Sequence, residues 1–311
     1  YTKLTSRMFD ESHRGGKYKI KTLFEECLNM KKITRRSFLA AAGLSVAALA
    51  LTACGGSSST ASSAAASSVA SSAAASSEAA SAAADLTTVE AGKLTMATNA
   101  TFPPYEMTTD NGTIEGIDVE TAQAIADKLG LELQVDDMDF DAALLSVQQG
   151  KADIAMAGIT VTDERKAVMA FSDSYATGIQ SIIVPEGSDI ASADDLAGKK
   201  IGTQRGTTGY LYCSDDFGED AVVAYDNGLT AVQALNNGQV DAVVIDNEPA
   251  KAYVESNPGL KILDTSYAEE DYAIGMNKDN TALLDAVNAA LEELKADGTL
   301  QSIVDKYITA E

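Results

Sequence analysis

The sequence predicts an α/β fold with mainly parallel sheets for residues 86–311, because short apolar runs alternate with amphipathic segments along this part of the chain. The amphipathic segments often end at a glycine, the residue that most commonly closes a helix. Two extended segments, 178–185 and 271–277, interrupt the alternation and flank a long internal block. One discontinuous lobe with an inserted second lobe fits this pattern, although periodicity alone does not establish it.

Each element follows from the spacing of its apolar residues. Residues 118–130 carry apolar side chains three or four positions apart and end at Gly130, which predicts a helix. Short apolar runs between such segments predict buried strands. By the same criteria the other strands are expected at 93–98, 131–135, 152–157, 198–204, 221–225 and 241–245, and the other helices at 141–150, 229–238, 248–257, 281–298 and 299–308.

The chain before the predicted fold contains the anatomy of an export signal. From Met30, a basic head is followed by an apolar run to about residue 53, with small residues at its end. This run is shorter than a membrane-spanning helix requires. We interpret residues 30–53 as a signal peptide and residues 1–29, which show no clean apolar period, as a mistranslated leader.

The end of this signal, Leu51-Thr52-Ala53-Cys54, resembles a bacterial lipobox, so we expect lipidation of Cys54. Residues 54–91 then form a Ser/Ala-rich linker that is too polar and small to bury a core. The segment 34–39 resembles a twin-arginine signal, which basic Sec signals also mimic, so the export route stays open. We expect an extracytoplasmic protein, lipid-anchored to the outer face of the bacterial cytoplasmic membrane or periplasmic.

The charge restricts the partners. The chain has 23 basic and 46 acidic residues; residues 1–53 carry 10 and 4 of these, which leaves 13 basic and 42 acidic residues and a net charge of −29 for the mature chain. Such a surface repels nucleic acid and anionic lipid headgroups. We therefore expect no nucleic-acid partner. The lipobox predicts membrane attachment through Cys54, and we expect a monomer.

Residue types that much enzyme chemistry needs are missing from the mature chain. The single histidine, His13, lies in the leader, so no histidine triad, metal ligand or acid–base group can form. Cys213 is the only cysteine after Cys54, which rules out a cysteine metal cluster and an internal disulfide without the lipidated residue. The sequence indicates neither a metal nor a cofactor.

Arg165 is the first residue that points to a binding site. Thr162 is a good N-cap, so Arg165 falls at the third helical position, where the helix dipole disfavours a cation. The two acids that precede it could simply compensate. However, residues 86–311 contain only two arginines, Arg165 and Arg205. A planar guanidinium beside free helix N–H groups suits a bidentate carboxylate, which is the interpretation we favour.

Three further features allow both a structural and a functional interpretation. The segment 201–209 runs from a strand into a glycine-flanked turn, which could receive an anion or be an ordinary turn. Asp246 ends a strand and could cap the next helix or bind an ammonium group. Phe102 and Tyr105, beside two prolines, could form an aromatic wall or plain core.

Together these residues could hold a free amino acid. Arginine and helix N–H groups would satisfy its carboxylate, an aspartate with hydroxyls and carbonyls would satisfy its ammonium, and an aromatic ring would cover its side chain. Burying either charge unpaired would be costly, so such a site must supply both partners.

Longer motifs occur in a fixed order over about residues 92–309. They are NATFPPYEM, IEGIDVETAQAIADKLG, FDAALLSVQQGKADIAMAGITVTDERK, FSDSY, KIGTQRGTTG, NGQVDAVVIDN, YAIGMNKDN and LEELKADGTLQSIVDKY. In this form and order they resemble the extracytoplasmic solute-binding proteins of ABC importers for polar amino acids. The resemblance implies a two-lobed, type II periplasmic-binding-protein-like fold with two crossing hinge strands. Lobe 1 would comprise residues 92–179 and 273–311, and lobe 2 residues 180–272.

The resemblance also implies roles for single residues. Arg165 would clamp the α-carboxylate, Asp246 would take the ammonium, and Phe102 would stack on the ligand side chain. The other predicted ligand-binding residues are Asn99, Phe140, Gly158 and Thr160 from lobe 1 and Gln204, Thr207 and Thr208 from lobe 2. Asn99 stands where binders of cationic amino acids often carry an acid. This difference makes a basic ligand less expected but does not exclude one.

We therefore expect a lipid-anchored receptor, not an enzyme, that binds a free, polar amino acid between its lobes and delivers it to an ABC importer permease. The alternative within the same fold is an enzyme similar to cyclohexadienyl dehydratases, which would need a poised acid in the cleft. A third possibility is a ligand-sensing domain of a signalling receptor. The identity of the amino acid and the role of Arg205 stay open.

Overall fold

The computed structural model describes residues 86–264 and 266–308. The predicted leader, signal peptide, lipobox and most of the linker lie outside the described residues. The strands are β1 (Lys93–Thr98), β2 (Thr101–Phe102), β3 (Glu106–Thr108), β4 (Ile114–Glu115), β5 (Glu132–Asp137), β6 (Ile154–Ala155), β7 (Ala170–Phe171), β8 (Ala176–Pro185), β9 (Ile201–Gln204), β10 (Val222–Tyr225), β11 (Ala242–Asp246), β12 (Leu260–Ile262), β13 (Ala268–Tyr272) and β14 (Gly275–Met276). The α-helices are α1 (Ile117–Leu129), α2 (Phe140–Gln148), α3 (Asp163–Val168), α4 (Thr208–Phe217), α5 (Gly228–Asn236), α6 (Asn247–Ser256), α7 (Thr281–Ala296) and α8 (Thr299–Tyr307).

The first sheet has the strand order β5-β1-β6-β14-β7. Strand β1 pairs in parallel with β5 and β6, whereas β14 pairs antiparallel with β6 and β7. Adjacent residues of β1 pack on opposite sides: Met96 joins a cluster with residues of α1 and α7, and Ala97 joins a cluster with residues of α2. Helices thus bury both faces, as a parallel sheet needs.

The second sheet has the order β10-β9-β11-β8-β12, with β13 also paired to β8. Strands β10, β9 and β11 run parallel, and β8 is antiparallel to β11, β12 and β13. Val243 packs in a cluster with residues of α5, and its neighbour Val244 packs with Cys213 of α4. This sheet is therefore also covered on both faces.

The α/β fold with two lobes is confirmed, but the sheets are mixed and not mainly parallel as predicted. In the two larger sheets every antiparallel pair involves β8 or β14, the strands that follow the two crossings between sheets. Strand β8 follows β7 and β14 follows β13 without an intervening helix, so no helix-linked crossover constrains β8 or β14 to run parallel to its neighbours.

The chain crosses between the sheets twice. The first crossing leads from β7 into the long strand β8. The second lies between β13, which pairs with β8, and β14, which pairs with β6 and β7. The extended segment predicted at 271–277 is therefore two strands in different sheets, separated by Ala273 and Ile274. Likewise, the strand predicted at 152–157 is only Ile154–Ala155, because the chain bends on both sides of it, at 151–153 and at 157–158.

A small third sheet, β2-β3-β4, was not predicted, and it positions part of the cleft. The backbone N–H groups of Ile117 and Asp118 donate to the carbonyls of Pro104 and Tyr105 at 3.1 and 2.9 Å, which ties this sheet to the start of α1. Gly116 makes the junction possible, because it has φ +139° and a Cβ there would collide with the Tyr105 carbonyl.

The helix ends agree with the sequence patterns. Gly130 follows α1 in the left-handed conformation, with φ 69°, as predicted. Thr162 caps α3 and accepts a hydrogen bond from the Arg165 N–H at 3.2 Å, which confirms that Arg165 is at the third helical position. Among the helices of residues 86–308 that the structure describes, none is both long and apolar enough to cross a membrane.

Candidate functional site

The ten residues predicted to bind a ligand all line one cleft between the two sheets. The lining consists of Asn99, Phe102, Glu106, Phe140, Ala157, Gly158, Thr160, Arg165, Gln204, Thr207, Thr208 and Asp246. The space between these atoms, counted with the solvent that reaches it, is about 310 Å³. Strands β1, β6, β9 and β11 all point their carboxyl ends at the cleft, which is where α/β folds usually bind ligands.

Arg165 is buried, with 8% of its surface exposed, so it is not a solvated surface charge. Its guanidinium donates from Nη1 to the Thr160 carbonyl at 2.8 Å and from Nη2 to the Gly206 carbonyl at 3.1 Å. Its Cζ also lies 5.4 Å from the centre of the Phe140 ring, a cation–π distance. These contacts use two of its five N–H donors, so three remain for an anion.

Asp246 precedes α6 in the N-cap position, yet its side chain makes no capping hydrogen bond. It accepts instead a hydrogen bond from the hydroxyl of Tyr272 on β13. Burial raises the pKa of the Asp246 carboxyl to about 7, the nearby Glu270 carboxylate adds to this rise, and the Tyr272 hydrogen bond opposes it. The structure therefore favours the cleft-facing interpretation of Asp246 over the helix-capping one.

Polar side chains meet across the cleft. Gln204 donates from Nε2 to Asn99 Oδ1 at 2.9 Å, and the hydroxyls of Thr160 and Thr208 lie 3.4 Å apart. Thr160 also donates to Glu270 Oε2 at 3.1 Å. The segment 201–209 thus does more than turn the chain, since Gln204 and Thr208 reach Asn99 and Thr160 across the cleft. The hydroxyl of Thr207, which also lines the cleft, caps α4.

Phe102 and Gly158 form an apolar wall. Phe102 is 7% exposed and stacks on Tyr105, with ring centres 5.8 Å apart. A Cβ on Gly158, which has φ +53°, would lie only 2.7 Å from Phe102 Cε1, so the close approach of ring and backbone requires glycine. The Gly158 N–H donates to Asp118 Oδ2 at 3.0 Å, so this N–H is already used within the protein.

Two lining residues, Glu106 and Ala157, were not among those predicted. Glu106 is fully buried at the start of β3, and burial together with the charge of Asp118 raises the pKa of its carboxyl well above the usual range. Asp118 lies behind Gly158, and burial raises the pKa of its carboxyl to about 6. Both acids stand in quoted motifs, and the signal that could have found Glu106 is a carboxylate set between the apolar residues Tyr105 and Met107.

Arg205 does not line the cleft. Its side chain is 58% exposed and forms a surface ion pair with Asp226, with Nη2 3.3 Å from Oδ1. Such a pair contributes only about 0–1 kcal/mol to stability. Of the two arginines in the folded part, Arg165 alone belongs to the site.

Two lobes that close on a polar cleft, joined by two crossings of the chain, define a type II periplasmic-binding-protein fold and a binding site for a small charged molecule. Residues 94–310 match the family of bacterial extracellular solute-binding proteins, family 3, and the chain belongs to this family.

Individual relatives agree with this assignment. The chain is 32% identical over 291 residues to a probable histidine-binding protein of Neisseria gonorrhoeae, and the match covers 91% of this chain and 98% of the relative. It is 33% identical over 226 residues to the L-cystine-binding protein TcyJ of Escherichia coli, and the match covers 71% of this chain and 85% of the relative. Among solved structures, an ancestral arginine-binding protein bound to arginine is 43% identical, with a TM-score of 0.67, and covers 70% of this chain and 98% of its own.

The protein is an extracytoplasmic solute-binding protein of the ABC-importer class for amino acids, and not an enzyme. These relatives are binding proteins, so the comparison does not support the dehydratase alternative.

Proposed function

We propose that the protein binds one free amino acid in the cleft, with Arg165 on its α-carboxylate and Asp246 on its ammonium. The observation that supports this most directly is the placement of these two opposite charges, both more than nine-tenths buried, in the lining of one small cleft. A buried arginine and a buried aspartate that do not pair with each other need charged partners of the opposite sign. A zwitterion supplies both on one carbon atom.

The remaining lining residues then have defined tasks. Phe102 covers the ligand side chain, and Phe140 supports the guanidinium of Arg165. The hydroxyls and amides of Asn99, Thr160, Gln204, Thr207 and Thr208, with the carbonyl of Gly158, complete the polar contacts. The relatives' names refer to histidine, L-cystine and arginine, so the family tolerates side chains of different charge.

Closure of the lobes is the transport signal. Residues 92–179 and 273–311 form lobe 1, and residues 180–272 form lobe 2. The ligand touches both lobes only in the closed state and therefore increases the population of that state. The permease of the importer recognises the closed form and receives the amino acid from a monomeric receptor.

Calorimetric titration with the common amino acids tests this proposal. At least one amino acid should bind, and Arg165→Ala should weaken its binding about 100-fold or more, because the carboxylate would be left in a buried cleft without its charged partner. Arg205→Ala is the matched control, since it also removes one arginine but from the exposed pair with Asp226. Absence of binding to every amino acid would contradict the proposal, and so would equal effects of the two substitutions.

We also propose that the protein is anchored to the outer face of the cytoplasmic membrane through a lipid on Cys54, after removal of residues 30–53. The linker up to residue 91 keeps the folded part near the permease without fixing its orientation. Mass spectrometry of the N-terminal peptide from cell membranes should detect an acylated Cys54. Cys54→Ala should release the protein from the membrane fraction, and its retention there would contradict the anchor.

A further inference from the structure

Glu270 is a buried carboxylate behind the cleft that the contacts proposed above do not use. It lies on β13, the strand that leads into the second crossing, with 5% of its surface exposed, and it is outside the cleft lining. Within the described part of the chain, no lysine or arginine nitrogen lies within 4.0 Å of it. A buried carboxylate without a cation depends on the hydrogen-bond donors around it.

Two side chains donate to the same oxygen of Glu270. Thr160 Oγ1 donates to Oε2 at 3.1 Å, and Gln180 Nε2 donates to Oε2 at 2.9 Å. The other oxygen, Oε1, has no hydrogen-bond partner among the residues that the structure describes. Because two donors converge on Oε2, this oxygen is an acceptor, and the proton of the Thr160 hydroxyl is directed at it.

The direction of this hydrogen bond determines what Thr160 can offer to the cleft. A hydroxyl has one proton and two lone pairs, so Thr160 can only accept further hydrogen bonds once it donates to Glu270. The 3.4 Å contact between the hydroxyls of Thr160 and Thr208 must then run from Thr208 to Thr160. An ammonium group carries only donors and a carboxylate only acceptors, so Thr160 in this orientation suits the ammonium end of an amino acid.

The backbone places the threonine independently of the buried carboxylate. The N–H of Val161 donates to the Asp271 carbonyl at 3.0 Å, and the N–H of Ala273 donates to the Ile159 carbonyl at 3.1 Å. These two bonds hold the chain on both sides of the threonine against the second crossing. The carboxylate therefore adds the direction of the hydroxyl proton and not the position of the residue.

We propose that Glu270 is a positioning residue for the ligand ammonium. It holds the Thr160 proton, so that Thr160 presents only an acceptor to the cleft and contacts the ammonium together with Asp246. This inference rests on the proposed binding of a free amino acid and deepens it. It assigns Thr160 to one end of the ligand, and it gives a residue outside the cleft lining a part in recognition.

Glu270→Met and Glu270→Gln separate the acceptor from the charge. The first removes the acceptor oxygen and keeps an unbranched side chain of similar length, whereas the second keeps an acceptor oxygen and removes only the charge. The charge of Glu270 also raises the pKa of Asp246, so calorimetry with the common L-amino acids is performed above that pKa of about 7. Glu270→Met should weaken binding of the amino acid that the wild type binds about tenfold or more, and Glu270→Gln less than about threefold.

Glu269→Met is the matched control, because Glu269 is the exposed neighbour on the opposite face of β13. It should leave the affinity unchanged. In a Thr160→Val background, Glu270→Met should cost less than about threefold, because the hydroxyl that it directs is gone. Equal losses in Glu270→Met and Glu270→Gln would assign the effect to charge, and additive losses in the double variant would assign it to structure. Either result would overturn the inference.

A neutron structure of the deuterated wild-type protein tests the same point without a variant, and it decides if Glu270→Met does not fold. A deuterium between Thr160 Oγ1 and Glu270 Oε2 is the expected result, and a deuterium that points from Thr160 into the cleft would overturn the inference. Failure of the wild type to bind any common amino acid would refute the proposed function and this inference with it, whereas the outcomes above overturn the inference alone.

Discussion

The guanidinium of Arg165 joins the two sheets through the carbonyl of Gly206, which accepts its Nη2 at 3.1 Å. Arg165 lies on α3 beside the first sheet, and Gly206 lies in the loop after β9 of the second. The same guanidinium holds the Thr160 carbonyl at 2.8 Å. One planar group therefore aligns both sides of the cleft and still has donors left for a ligand carboxylate.

Arg165→Lys should weaken amino-acid binding although it keeps the charge. An ammonium is a point charge without the guanidinium fork, so it cannot hold the Thr160 and Gly206 carbonyls and a carboxylate in the same geometry. We expect a loss of about tenfold or more, measured by calorimetry. Affinity equal to that of the wild type would show that charge alone matters, and that the two carbonyl contacts contribute nothing to binding.

Binding should depend on pH through Asp246, whose carboxyl has its pKa raised to about 7. The ionised form pairs with the ligand ammonium, so affinity should fall as the pH is lowered through about 7. Tyr272→Phe removes the hydrogen bond that lowers this pKa, so the midpoint should move to higher pH. Glu270, Arg165 and the ligand also affect the pKa of Asp246, but all three are present in both the wild type and Tyr272→Phe.

This prediction is checked by measuring amino-acid affinity between about pH 5.5 and 9 for the wild type and for Tyr272→Phe. Burial also raises the pKa of Asp118, to about 6, so the shift between the two midpoints, and not the shape of one curve, reports on Asp246. Tyr267→Phe is the control, because its hydroxyl donates to Asp216 at the surface, away from the cleft lining. Identical midpoints for the wild type and Tyr272→Phe would contradict the prediction.

Gly206→Ala should oppose closure of the lobes. Gly206 has φ +74°, and an added Cβ would collide with the side chain of Asp141 on α2, across the cleft. We expect about tenfold weaker ligand binding, since a steric clash in the closed form costs on the order of 1–3 kcal/mol. Asp141→Ala in the same chain should restore part of the affinity.

Gly198→Ala is the matched control for this change. It has nearly the same backbone, with φ +77°, but no atom lies within 4 Å of the added Cβ. It should lower thermal stability through backbone strain and leave ligand affinity unchanged. A similar loss of affinity in both variants would attribute the effect to strain and not to the contact with Asp141.

Tyr253→Phe should weaken binding modestly. The hydroxyl of Tyr253, on α6, donates to the Thr101 carbonyl of the small sheet at 2.5 Å, so it links the two sides of the closed cleft without lining it. One hydrogen bond is worth about 0.5–1.5 kcal/mol, which corresponds to a loss of about threefold to tenfold. Calorimetry measures this, and unchanged affinity would mean that the link does not favour the closed form.

Much of this protein could be predicted from local patterns. The helix over 117–129 and its closing Gly130 follow from apolar spacing and one glycine, and the cap at Thr162 follows from a single hydroxyl. The motifs also identified ten residues that the structure brings to one cleft. These features could be predicted because each depends on a few residues near one another in sequence.

Other features depend on residues far apart in the chain. The antiparallel pairing of β13 with β8, and the division of 271–277 between two sheets, depend on partners about a hundred residues away. No periodicity within a segment reveals which sheet it will join. The small sheet of β2, β3 and β4 was missed for a related reason, since its strands are two or three residues long.

The sequence by itself determined the class of protein, because ordered motifs are visible without coordinates. It also predicted Arg165 and Asp246 as opposite charges for one ligand, because arginine is scarce in the folded part and Asp246 ends a strand. The tertiary structure alone decided which acids are buried in the cleft lining or directly behind it. Glu106 and Asp118 are two among many carboxylates in a strongly acidic chain, and only the register of the hairpin and its bonds to α1 bury them beside Phe102 and Gly158. Burial distinguishes them physically, because a carboxylate removed from water requires a partner and a solvated one does not.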